Sequence, residues 1–172
     1  MLKPLYSWLL LVNFFVLSTT ANAFPAVDSH SCGKLRGNSQ PFMLVLKTGE
    51  ELPEAIVRCA TDANLKGASI SGLGAIENPT LAYYLLDSHK YKTKTFSGLY
   101  EVTSLNGNIQ QLENKPFVHM HVTLGDIHYQ SLSGHLMKAR VGATAEITII
   151  PFKGPLIRKM DSSAGTQLIS TE

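Results

Sequence analysis

From Phe42 onward the chain is a succession of short apolar runs separated by turn residues, and only one stretch departs from that rhythm. Phe42 to Lys47 is an apolar run of strand length, and Thr48-Gly49-Glu50 then turns the chain. The spacing predicts a helix that begins near Leu52 or Pro53. Proline is tolerated in the first turn because its missing N–H would have no intrahelical partner. Leu52, Ile56, Cys59, Ala60 and Ala63 recur at helical spacing and share one face, while Glu54, Arg58 and Asp62 fall elsewhere. That face predicts packing on a sheet, and Asn64 and Gly67 mark the end of the helix.

Beyond Gly67 the period becomes strand-like and stays so. The runs are Ala68 to Ile76, Leu81 to Leu86, Tyr91 to Phe96, Leu99 to Leu105, Phe117 to Leu124, Gln130 to Leu136 and Ala145 to Ile150. Asn106-Gly107 is the strongest hairpin signal in the chain and is expected to be a turn. One early helix followed by roughly seven strands predicts an α+β fold with a mixed, mostly antiparallel sheet and the helix packed on it.

The first residues change the picture of where the protein works. Lys3 supplies a positive n-region, Leu5 to Leu17 is largely apolar, and Ala21-Asn22-Ala23 reads as a small-residue cleavage site. The expectation is a signal peptide over 1–23, an irregular N-terminal arm over 24–40, one domain over 41–153 and a C-terminal tail over 154–172. Nothing later is long and apolar enough to span a bilayer. The mature protein is therefore expected to be exported, periplasmic or secreted, with no membrane association once the leader is cleaved.

Of the 15 basic residues Lys3 goes with the leader, which leaves 14 against 13 acidic ones. So even a balance supplies no long-range field for nucleic acid or anionic lipid. Lys90, Lys92 and Lys94 read as a solvated strand face. Cys32 and Cys59 would meet an oxidising compartment and either pair as a disulfide or leave Cys59 as a small core residue.

Chemistry concentrates in Phe117-Val118-His119-Met120-His121-Val122 and Ser133-Gly134-His135-Leu136. Residues two apart on a strand point to one face, so His119 and His121 present both imidazoles together. If 125–130 is a hairpin loop, His135 comes alongside them. Three neutral imidazoles with an open fourth position suit zinc or another divalent metal. Asp126 and Glu146 are candidates to hold a ring N–H from behind. The spacing also fits an ordinary hydrogen-bonded pair of strand histidines. His30, His89 and His128 fall in irregular segments and are left out.

Other catalytic devices are poorly represented. Ser133 and His135 flank Gly134 on a strand with no strand-to-helix elbow, so they do not make a nucleophile and base. Ser71-Gly72-Leu73-Gly74-Ala75 lacks a third glycine opening a helix, and its glycines read as sites of close backbone approach.

Several blocks in fixed order resemble a known family. They are Leu46-Lys47-Thr48-Gly49-Glu50-Glu51, Ile70-Ser71-Gly72-Leu73-Gly74-Ala75, Gly98-Leu99-Tyr100-Glu101-Val102, Ser104-Leu105-Asn106-Gly107-Asn108, the His119 to His135 segment, and Ala143-Thr144-Ala145-Glu146-Ile147. Over about residues 40–152 the chain is similar to the plants and prokaryotes conserved (PPC) domain in its stand-alone bacterial form. Where that family often has two glycines before the last histidine, this chain has Ser133-Gly134. The resemblance implies an α+β fold assembling as a homotrimer, with metal at the three histidines in some prokaryotic members. Plant members bind DNA through a separate AT-hook, and no Arg-Gly-Arg-Pro core occurs here.

Three function classes follow: a trimeric protein binding a divalent metal or small-molecule ligand at the histidines, a metal-dependent hydrolase using the same site, and a DNA-binding protein. Balanced charge and the expected leader disfavour nucleic acid. Without a convincing general base or substrate pocket, the sequence favours binding over catalysis.

Overall fold

The structure, a computed structural model, describes residues 24–171, so the leader expected at 1–23 lies outside the described residues. The expected irregular arm contains order. A three-residue strand, β1 (Ala26–Asp28), runs parallel to β2 (Phe42–Lys47), and a 3-10 turn at Cys32–Leu35 separates them. After the turn at Thr48–Glu50 comes a two-residue strand that the apolar pattern does not announce, β3 (Glu51–Leu52).

Helix α1 (Glu54–Asp62) begins where expected, with Pro53 capping it through its carbonyl, which accepts from the Ile56 and Val57 N–H groups. Ile56, Cys59 and Ala60 of the face read from the sequence, with Ala63 at the C-cap, are at most 1% exposed, while Leu52, read into the helix, is buried as part of β3. Each fully buried aliphatic side chain of this size contributes on the order of 2 kcal/mol. Asn64 turns the chain out of the helix in the left-handed region, at φ 57°.

The remaining strands are β4 (Ala68–Leu85), β5 (Lys90–Thr95), β6 (Leu99–Leu112), β7 (Lys115–Gly125) and β8 (Ser131–Pro151). Two of them are far longer than the sequence pattern suggests. Ala68–Ile76 and Leu81–Leu86 are one strand, because the register shift between Glu77 and Thr80 absorbs Pro79, whose lack of an N–H is tolerated at such a bulge. The segments around Gln130 to Leu136 and Ala145 to Ile150 are likewise one strand. Between them Ala139 and Val141 are buried while Lys138 and Arg140 are exposed, a weak alternation that maintains the strand period.

Asn106-Gly107 is not a turn. Both residues lie inside β6, opposite His121 and Met120 of β7. The hairpin closes at Glu113-Asn114, where both residues take positive φ, 50° and 64°, as a two-residue turn of this hand requires. Gly107 serves a close approach instead, since a Cβ there would meet the His119 carbonyl oxygen at 2.2 Å. The glycines of the Ser71–Ala75 block do the same: a Cβ on Gly74 would meet the Thr144 carbonyl oxygen at 2.2 Å.

The main sheet has eight strands in the order β1-β2-β8-β7-β6-β4-β5, with β3 added on β8. All pairings are antiparallel except β1 with β2, which makes the sheet mixed as expected. Because β8 also pairs with β4, the strands β8, β7, β6 and β4 close on one another. Along β7, Val118, Met120, Val122 and Leu124 enter the core and meet α1's side of the molecule. Phe117, His119, His121 and Thr123 therefore face the other way.

The C-terminal tail contains two further strands. β9 (Arg158–Asp161) and β10 (Thr166–Ile169) form an antiparallel hairpin. Its base is tied to β6, with the Gln111 N–H donating to the Leu156 carbonyl, and its tip to β4, with the Tyr84 hydroxyl donating to the Ala164 carbonyl.

Candidate metal centre

The two strands that carry the histidines are joined by the short loop Asp126–Gln130, so His121 and His135 fall directly opposite each other in the β7–β8 ladder. His119, two residues from His121, shares their face. The three rings sit with centroids 5.1–5.3 Å apart, and one nitrogen from each lies within 4.8 Å of the others. His119 and His135 are partly buried and His121 is exposed. The convergence inferred from period and loop length is thus present.

Electrostatics keeps the buried members of the cluster neutral. Loss of solvent pushes His135 down to about 4, with His119, His121 and Arg158 adding repulsion. His119 is lowered for the same leading reason, burial, with Arg158 and His121 contributing. A neutral imidazole has a lone pair free for a cation.

The donor set fits a metal ion. His135 Nδ1 is buried without a hydrogen-bond partner, and a buried polar atom left unmatched is costly. With zinc–nitrogen bonds of about 2.1 Å, nitrogens this close need shift by less than about 1 Å each to share one ion.

The other expected residues go elsewhere. The Asp126 carboxylate closes the β7–β8 loop by accepting from the His128 and Gln130 N–H groups, beyond the far end of the hairpin. Glu146 stands eleven residues along β8 from His135, opposite Val45 and Leu73, in a separate groove with Met43, Ser71 and Asn106. Neither joins the histidine cluster. Cys32 and Cys59 are joined as a disulfide that ties the N-terminal arm to α1, with Cα atoms 5.1 Å apart.

The neighbours of the cluster are the residues that sequence reasoning did not find. Tyr91 on the edge strand β5 places its ring 5.6 Å from His135. Arg158, at the start of β9, lies with its guanidinium 4.7 Å from the Phe117 ring centroid and donates to Gln110 Oε1 at 3.0 Å. Phe117 and Gln110 oppose each other across β6–β7, one step along the same face from the His119–Asn108 pair. The tail did carry a signal for this hairpin, Asp161-Ser162-Ser163-Ala164-Gly165, an aspartate and a left-handed glycine between two short extended segments.

A closed, mostly antiparallel sheet with one helix on its core face and three clustered imidazoles on the other defines a small β-rich domain. The chain belongs to the Plants and Prokaryotes Conserved (PCC) domain family, whose model matches residues 34–153. A plant- and prokaryote-conserved (PPC) protein of Pyrococcus horikoshii is 32% identical, with a TM-score of 0.73 over 77% of this chain and 92% of that one. A metal-containing protein of Archaeoglobus fulgidus is 29% identical, with a TM-score of 0.71 over 76% and 93% of the two chains. A proposed DNA-binding protein of Ralstonia eutropha is 27% identical, with a TM-score of 0.71 over 76% and 90%. No curated protein matches the chain.

Proposed function

We propose that this chain is an exported, trimeric member of its family that holds a divalent metal, zinc by donor chemistry, at His119, His121 and His135. The observation that carries this reading is the convergence of three ring nitrogens within 4.8 Å on one sheet face. Neutral, partly buried imidazoles with an orphaned Nδ1 among them suit a borderline-soft ion such as zinc. The metal-containing relative from Archaeoglobus fulgidus supports it. When bound, zinc supplies a Lewis-acidic position open to a small ligand.

Export is supported by the leader pattern at 1–23 and by the Cys32–Cys59 disulfide, a bond that persists in oxidising compartments. The trimer rests on the family resemblance. A hydrolase at the same centre is a weaker reading, because among the described residues no carboxylate joins the cluster as a general base. DNA binding finds support in a relative's name, but the formal charge is only +2 and Lys90, Lys92 and Lys94 lie on an exposed edge strand.

The test is elemental analysis of protein purified without a histidine tag. Close to one zinc per chain in the native protein and none in His121→Ala is the expected result. No metal under zinc-replete conditions would reduce the three residues to structural histidines.

A further inference from the structure

Arg158 lies beside the histidine cluster and, among the described residues, has no anionic partner. Its hydrogen bonds go to neutral oxygens, the Gln110 side chain and the Gln167 carbonyl, and its Nε is buried with no partner. Arg58 shows the contrast, since it reaches Glu50 Oε1 at 3.1 Å. A guanidinium offers five N–H donors in a rigid fork suited to carboxylate and phosphate. Two of those donors are accounted for here.

The placement of this fork is specified. Gln110 and the Phe117 ring hold it from the sheet, and the Gln167 carbonyl holds it from the adjoining strand of the tail hairpin. Both sheet contacts lie one pair along from His119 and Asn108, on the face that also carries His121 and His135. Residues two apart on a strand are about 6.6 Å apart, so the guanidinium borders the cluster.

Charge balance then constrains the occupant. Three neutral imidazoles leave a divalent cation with its full charge, Arg158 adds another positive charge, and among the described residues no acidic side chain enters the cluster. A partly buried concentration of positive charge without counter-charge is costly, and an anion that meets both centres relieves it.

We propose that the natural ligand of this centre is a small oxyanion, a carboxylate or a phosphate, held jointly by the metal and by Arg158 as its specificity-determining residue. The proposal rests on the three histidines being a metal centre. It adds a ligand class and a residue that lies past the matched family segment, which ends at residue 153.

Cobalt-substituted protein tests both levels separately, because its visible spectrum reports the coordination sphere. Cobalt uptake alone addresses the metal centre; acetate and inorganic phosphate, titrated into the cobalt protein, address the anion. The expected result is a saturable spectral change with at least one of the two anions and none with acetamide, which has the shape of acetate without its charge. Arg158→Gln should take up cobalt at least as tightly as wild type, since a positive charge beside the cation is gone, and weaken the anion by at least about tenfold, the value of a charged hydrogen bond. Arg158→Lys should recover part of that loss.

Equal binding of acetamide and acetate, or equal anion affinity in Arg158→Gln and wild type, would overturn the proposal and leave the metal centre standing. Failure of wild type to take up cobalt would overturn both. The acetamide comparison uses only the native chain, so it decides even if Arg158→Gln does not fold.

Discussion

His121 and His135 face each other across the β7–β8 ladder with ring centroids 5.3 Å apart, one exposed and the other half-buried. That asymmetry separates binding from stability. Replacing an exposed strand residue usually changes stability by less than about 0.5 kcal/mol, so metal-free His121→Ala should melt close to metal-free wild type. Zinc at a hundredfold excess over its dissociation constant should stabilise wild type by about 2.7 kcal/mol. The same zinc should leave His121→Ala unmoved, and a chelator should reverse the wild-type gain. Calorimetric melting with and without zinc checks this, and an equal zinc response in both proteins would refute it.

The histidine site was legible because it depends on two local rules, the two-residue period of a strand and the symmetry of a short hairpin. Helix α1 was legible for a similar reason, since Ile56, Cys59 and Ala60 state its buried face outright, although Leu52, at the same spacing, falls in β3. What escaped was set by distant contacts. Pro79 reads as a break but sits in a bulge of β4, and Asn106-Gly107 reads as a turn but is a close backbone approach to His119 and Met120. Arg158 is thirty-seven residues past His121 in sequence and reaches the site only because the tail folds back against β6 and β4. No periodicity within the tail encodes that.

Stability of the metal-free protein should fall as pH is lowered from about 6.5 towards 4. His135 titrates in the fold at about 4, against an ordinary value of 6.5, chiefly because burial disfavours its charged form. Between those values the unfolded chain binds more protons than the folded one, so unfolding free energy rises with pH. His119 acts in the same direction. Urea denaturation from pH 7 to 4.5 should show the loss, and His135→Gln should show a shallower one. Identical slopes in the two proteins would refute the assignment to His135.

The disulfide should account for a substantial part of the domain's stability. It closes a loop with a sequence separation of 27 between the arm and α1, and both cysteines are fully buried. Restricting a loop of that length in the unfolded chain corresponds to about 3–4 kcal/mol. The double variant Cys32→Ala, Cys59→Ala avoids a free thiol and should lose a comparable amount in denaturant unfolding, with the histidine site still able to bind zinc. A loss under about 1 kcal/mol would show that the arm is held by its other contacts, the β1–β2 pairing and the hydrogen bonds of Ser29 with Glu50 and Arg58.

Gly107 is the position at which fold and site are most tightly joined. It sits in β6 between Ile70 of β4 and Met120 of β7, and an added Cβ would lie 2.2 Å from the His119 carbonyl oxygen and 2.7 Å from Met120 Cβ. The obstruction is backbone, so no side-chain rotation relieves it, and β6 must part from β7 where His119 and His121 are anchored. Gly107→Ala should therefore cost about 3 kcal/mol or more, the upper range for overpacking, and should weaken zinc as well, because the spacing of the two imidazoles depends on that ladder. Gly154→Ala is the matched control: nothing lies within 4 Å of its added Cβ, and its effect should stay within about 0.5 kcal/mol. If the two variants unfold alike and bind zinc alike, the close approach at Gly107 does not hold the histidine strand in place.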